Sequence, residues 1–184
     1  MLAAVLPEHK GPSVFIPVDA GDPDEGSING IESRTAVTSA AQEAFKALNA
    51  HDFDRVLTLG GECSVSVAPF TYLAHKYGDD LAVVWIDAHP DSDTPDTAYD
   101  GYHAMAAATI LGHGDPQILS QLPATVRAEN FAYAGQHSGE EDALTNVRDW
   151  ALPIFTPDSL LTIQLCSSTG SRARVQAEWR SISM

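Results

Sequence analysis

Leu81-Ala-Val-Val-Trp-Ile86 runs directly into Asp87-Ala-His-Pro-Asp-Ser-Asp-Thr-Pro95, and the join between these two stretches decides how the chain folds. The first is almost continuously apolar, which predicts a strand covered on both faces, as in a parallel sheet flanked by helices. The second is rich in carboxylates and begins where that strand ends. In open α/β sheets this is the end at which ligands collect.

The flanking sequence fits the same architecture. Upstream, Val14-Phe-Ile-Pro-Val18 predicts a short strand, and Asp19-Ala-Gly-Asp-Pro-Asp-Glu-Gly26 a solvated loop. Over 33–50, Val37, Ala41, Ala44, Phe45 and Leu48 recur at helical spacing on one face. Arg55-Val-Leu-Thr-Leu59 predicts a strand ending in Gly60-Gly61, and 67–77 a helix through Phe70, Leu73 and Ala74 that Gly78 stops. Downstream come a helix over 103–111, a strand at Phe131-Ala-Tyr-Ala134, a helix over 140–150 and a short strand at Ile154 and Phe155. The alternation predicts a three-layer α/β/α fold with a mostly parallel sheet. Thr156-Pro157 starts one more helix, whereas Cys166-Ser-Ser-Thr-Gly-Ser-Arg-Ala-Arg174 has no strand pattern and is more basic than the rest. Residues 1–161 therefore read as one partial domain and 162–184 as an atypical, disordered tail.

At 184 residues and 44% hydrophobic, the chain has enough material for one buried core. Its 25 acids against 10 bases give a formal charge of −15, a field that repels phosphate backbones and anionic lipid and argues against nucleic acid and membrane partners. Two cysteines make no disulfide framework, and the opening residues lack a basic leader. Since a bilayer span needs about 20 apolar residues, a cytoplasmic protein is expected.

The chemistry concentrates at two strand ends. Asp87, His89, Asp91 and Asp93 leave the first at alternate positions, a set of hard oxygen and imidazole donors able to serve a metal cluster. Carboxylates this crowded repel one another unless a cation lies between them. The alternative is a solvated acidic loop with a capping histidine. The second strand end is Leu59-Gly-Gly-Glu-Cys-Ser64; glycine permits a sharp backbone turn there, and Cys63 follows where a thiolate could bind metal. A buried cysteine taken alone is more often a small hydrophobe.

Taken in order, Gly60-Gly-Glu-Cys-Ser64, Asp87-Ala-His-Pro-Asp-Ser-Asp-Thr-Pro95 and Gly101-Tyr-His-Ala-Met105 resemble the ureohydrolase signature of the arginase, agmatinase and formiminoglutamase superfamily. The usual forms there are Gly-Gly-Asp-His-Ser, Asp-Ala-His-x-Asp-x-Asn-Thr-Pro and a His-Gly-Met-like turn. The resemblance implies an arginase-like α/β fold and a binuclear manganese site. In it Asp87 bridges the ions, His89 and Asp91 each hold one, and Cys63 replaces a histidine. It also implies a metal-bound hydroxide attacking the central carbon of a linear guanidino or amidino compound. His103 would pass a proton to the leaving amine, although a histidine opening an exposed helix is an equal reading of the local sequence. Asp93 and Thr94 would meet the substrate, a small cation, in a homo-oligomeric enzyme; Glu140 aligns too loosely for a role.

Three departures qualify this. Sulfur at Cys63 moves metal preference from manganese toward zinc or iron. Asp93 stands where arginases often carry an asparagine beside the substrate α-carboxylate, so a guanidine without that carboxylate is the better expectation. The Asp-x-Asp pair expected on a later strand has no counterpart after Leu160, where Glu178 is the one acid; the chain reads as a shortened member, incomplete at its C-terminus. Two other functions therefore stay open: a non-catalytic remnant with a single metal site, and a mononuclear zinc hydrolase using Cys63, His89 and Asp91.

Overall fold

The computed structural model describes residues 10–18 and 21–161. A two-residue hairpin, β1 (Ser27–Ile28) and β2 (Ile31–Glu32), leads into α1 (Arg34–Asn49). A 3₁₀ turn at Cys63–Ser66 then feeds α2 (Val67–Tyr77), followed by β3 (Val83–Ile86). Beyond the loop after β3 lie α3 (Ala106–Ile110), α4 (Pro116–Leu119), β4 (Phe131–Ala134), α5 (Glu141–Asp149) and β5 (Ile154–Phe155). The larger sheet has the order β3-β4-β5 and is parallel throughout, Val83 facing Phe131 and Ala134 facing Phe155. The α/β class and the parallel sheet are as the sequence predicts. The tail expected over 162–184 lies outside the described residues. Among those described, no helix is long and apolar enough to cross a membrane.

The core forms where one face of the sheet meets helices. Val83, Trp85, Phe131 and Tyr133 pack with Val67 and Ala74 of α2, Ala106, Ala107 and Ile110 of α3 and Val147 of α5. Each fully buried side chain of this size contributes about 1.5–3 kcal/mol. α3 is small and, apart from Thr109, apolar, and all five of its residues are buried. In a second cluster, Leu48 of α1 meets Ala68 and Tyr72 of α2.

Several expected elements differ. Residues 55–59 join no sheet among the described residues, and Leu57 is 83% exposed. A strand exists by pairing, and apolar character alone supplies no partner. The same reason applies to 14–18, where Phe15 points into solvent. β3 is covered on one face only: Val83 and Trp85 are buried, but Ile86 is 83% exposed. The expected helix over 103–111 is a 3₁₀ turn (Tyr102–Met105) followed by α3.

One element was not anticipated. Asn29 and Gly30 both have positive φ, the pairing that closes a tight hairpin. A Cβ on Gly30 would lie 2.1 Å from the Pro95 carbonyl oxygen, so only glycine lets the hairpin press on the loop that follows β3. Ile31 is buried beside it with Tyr102, Met105 and Ile118.

The start of α1 is tied to the start of α4. Asp115 caps α4, accepting from the Gln117 and Ile118 backbone N–H groups at 2.9 and 3.0 Å, and Arg34 Nη2 reaches its carboxylate at 2.8 Å with both side chains largely buried. Burial alone would raise the Asp115 pKa, but Arg34 and the two backbone donors hold it below the usual value. Its stabilising contribution is therefore present above pH ~4 and lost as pH falls through the depressed value. We expect Asp115→Ala to lower unfolding free energy by about 3–5 kcal/mol at neutral pH, because it strands a buried guanidinium. Denaturant titration measures this, and the gap between wild type and variant should narrow below pH 4.

Candidate metal centre

β3 ends by presenting Asp87, and the chain then turns sharply. Asp91 has φ 45°, a left-handed conformation that costs most residues energy and that Asp tolerates better than most. Its carbonyl accepts hydrogen bonds from Ala107 and Ala108 N–H at 3.0 and 3.2 Å, donors in the first turn of α3 that have no partner within the helix. The next residues are fastened as firmly. Ser92 Oγ shares a 2.5 Å hydrogen bond with the Tyr133 hydroxyl of β4, Asn146 Nδ2 of α5 donates to the Ser92 carbonyl at 2.7 Å, and Asp93 N–H donates to the Ala104 carbonyl at 2.9 Å.

Cys63 arrives from the other side. A Cβ on Gly60 would come within 2.4 Å of the Val65 side chain, so glycine lets the segment fold closely over the 3₁₀ turn that carries Cys63. Its Sγ lies 3.8 Å from Asp87 Oδ2, and ligand-type atoms of Cys63, Asp87 and Asp91 all fall within 4.8 Å of one another. Asp91 is only 5% exposed, and among the described residues its Oδ2 receives no hydrogen bond and the buried Asp93 Oδ1 likewise has no partner. An ionised carboxylate removed from water without a partner is costly. Burial raises the Asp91 pKa to about 6; the neighbouring Cys63 thiol and Trp85 indole oppose the rise and the Asp87 charge adds to it. Cys63 is pushed up to about 12 by burial and by the Asp91, Asp87 and Glu62 carboxylates. A divalent cation answers both problems, satisfying the orphaned oxygen and neutralising the field that keeps the thiol protonated. The donors fit such an ion.

The other predicted site residues take different positions. His89 donates its backbone N–H to Asp87 Oδ1 at 2.9 Å, but its imidazole is 61% exposed and stands outside the trio, Nδ1 3.6 Å from the same oxygen. His103 Nε2 lies 3.3 Å from the Tyr99 hydroxyl. Thr94 is occupied locally: its N–H donates to Thr97 Oγ1 and its Oγ1 accepts from Asp96 N–H. Cys63, Asp87, Asp91, Asp93, His103 and Glu140 share one open cleft of about 310 Å³, with His89 and Tyr99 beside them. A smaller cavity of about 220 Å³ lies elsewhere, against Gly78 and Arg127, and its arginine is already paired with Asp79 and Glu129.

A parallel α/β protein with thiol, carboxylate and imidazole groups gathered beyond its strand ends is the class this geometry defines. Residues 13–175 match the arginase family, and the chain belongs to that family. The arginase of Bacillus subtilis (strain 168) is 29% identical over 119 residues, covering 63% of this chain and 39% of that protein. The arginase of Bacillus caldovelox is 30% identical over 103 residues, covering 54% and 34%. The matched stretches thus span well under half the length of these curated relatives. Among solved structures, B. caldovelox arginase superposes with a TM-score of 0.68 at 24% identity, over 91% of this chain and 56% of that one. Entamoeba histolytica arginase in complex with L-ornithine gives 0.67 at 22%, over 88% and 54%. These likenesses establish a shared arginase fold.

Sequence reading missed the residues that hold the loop. Tyr133 and Asn146 sit at ordinary strand and helix positions, and no local pattern distinguishes them from packing residues.

The Asp91 pKa yields a signed expectation. A folded value near 6 lies above the ordinary one of about 3.9, so the metal-free fold binds this proton more tightly than the unfolded chain does. Stability from this group is greatest at acid pH and falls as pH rises from 4 through 6. Asp91→Asn keeps a residue that accepts positive φ and removes the charge. In metal-free denaturation at pH 5 and 7.5, the variant should lose about 1.4 kcal/mol of wild-type pH dependence and gain stability at the higher pH. A second expectation concerns the fastening: Tyr133→Phe removes one of the two hydrogen bonds of Ser92 Oγ, which still donates to the Pro90 carbonyl, and should cost about 0.5–1.5 kcal/mol, read by thermal or chemical unfolding.

Proposed function

We propose that the chain is a metal-dependent hydrolase of the arginase family that cleaves a carbon–nitrogen bond in a linear guanidino, amidino or formimino compound. The observation that carries this reading is the buried, unpartnered Asp91 Oδ2 beside Cys63 and Asp87 in an acidic cleft that also presents His103. Cys63, Asp87 and Asp91 would hold a divalent ion, manganese being the one the family resemblance implies. When bound, such an ion acts as a Lewis acid and supplies a water nucleophile near neutral pH.

The remaining steps belong to side chains. The cleft offers Asp93 and Glu140 to a planar cation, and burial keeps Asp93 above the usual carboxylate range, with the Asp142 and Glu140 charges adding to the effect. A substrate bearing its own carboxylate at that end would meet repulsion, so a guanidine with an uncharged tail is favoured. His103, at the cleft wall beside the Tyr99 hydroxyl, would give a proton to the departing amine. The strongly acidic chain draws cations toward the cleft, and a composition without a disulfide framework supports a cytoplasmic setting.

One observation favours a second reading. Among the described residues, Cys63, Asp87 and Asp91 make one three-donor group; a non-catalytic single-ion site agrees with it. The test is urea, ammonia and amine release from a panel of guanidino, amidino and formimino compounds, with metal content determined on the same protein. Release that requires metal, and that falls about 10²- to 10⁴-fold in His103→Asn, supports the hydrolase. Bound metal without release from any compound supports the non-catalytic site.

A further inference from the structure

We propose that Cys63 makes this a one-ion, thiolate-ligated centre that favours thiophilic divalent ions, zinc or cobalt(II), over manganese. The inference rests on the metal-centre reading above and specifies its ligand set. Cys63 Sγ and one oxygen each from Asp87 and Asp91 lie within 4.8 Å of one another. Three donors so close serve one ion, as in zinc sites built from three protein ligands. Cysteine would carry little weight alone, but Asp91 is only 5% exposed and offers an oxygen that receives no hydrogen bond from the described residues.

His89 does not join them. Its imidazole is 61% exposed, with Nδ1 3.6 Å from Asp87 Oδ1. Its backbone N–H, donating to Asp87 Oδ1 at 2.9 Å, is what orients that carboxylate. The donor set is therefore one soft sulfur and two hard oxygens, with no imidazole. Manganese favours oxygen donors, whereas thiolate selects softer ions.

Raw affinity cannot decide the matter, because zinc outranks manganese at almost any site of nitrogen, oxygen or sulfur donors. What sulfur changes is the ratio between the two, and that ratio should respond to Cys63 alone. The experiment titrates the metal-stripped chain with cobalt(II) under reducing conditions, recording the near-ultraviolet sulfur-to-cobalt charge-transfer band. Zinc and manganese affinities are measured by calorimetry on wild type, Cys63→Ser and Cys63→His.

The expected result is one cobalt per chain, a charge-transfer band in wild type that both variants lack, and a zinc-to-manganese affinity ratio that falls about tenfold or more in Cys63→His. Cys63→His retains a competent donor and so separates loss of sulfur from loss of the site. Cobalt binding without the band, an unchanged ratio, or two ions per chain would overturn the inference while leaving metal-dependent hydrolysis standing. A band with no substrate turned over would sink the hydrolase reading and leave this one intact.

Discussion

Asp91 holds a left-handed backbone conformation because its carbonyl is captured by two N–H groups of α3 while the next residue is clamped by Tyr133 and Asn146. The restraint comes from one strand and two helices, elements far apart in sequence. A strained residue persists only where its surroundings over-determine it, and here the consequence is chemical as well as conformational: the side chain is driven inward, away from water, to meet Cys63 and Asp87. The sheet supplies rigidity, the helices supply donors, and the loop between them is left with an oxygen that no described residue satisfies.

Most of the fold was legible because hydrophobic periodicity is a local property. The apolar run at 81–86 marked β3 and the period near three and a half marked α1 and α2, as the structure bears out within a few residues. What periodicity lacks is information about partners. Residues 55–59 read as strongly as β3 does, yet no described strand lies against them. The continuous apolar character of 81–86 correctly marked a strand of a parallel sheet, but cover over Val84 and Ile86 would have to come from a neighbour the sequence pattern does not reveal. The hairpin at Asn29 and Gly30 was legible in principle, since that dipeptide is a strong local turn signal; its contact with Pro95 was not.

The centre divides along the same line. Asp87, Asp91 and Cys63 could be singled out because residue type and order carry ligand chemistry, and the structure brings the three together. Their company could be listed from sequence, but which members converge depends on side-chain direction. His89, two residues from Asp87, turns outward, whereas Cys63, twenty-four residues away, turns in. Glu140, too loosely aligned for a role, nonetheless lines the cleft.

The uncovered strip of β3 bears on the protein's colloidal behaviour. Val84 and Ile86 expose apolar surface on a strand with one described neighbour, an arrangement that invites sheets to join edge to edge. A formal charge of −15 opposes this by mutual repulsion between molecules. Because that repulsion fades once the Debye length contracts from about 10 Å at 0.1 M salt to about 3 Å at 1 M, the chain's dispersal in solution is governed by ionic strength, with its carboxylates serving as the counterweight to an adhesive edge.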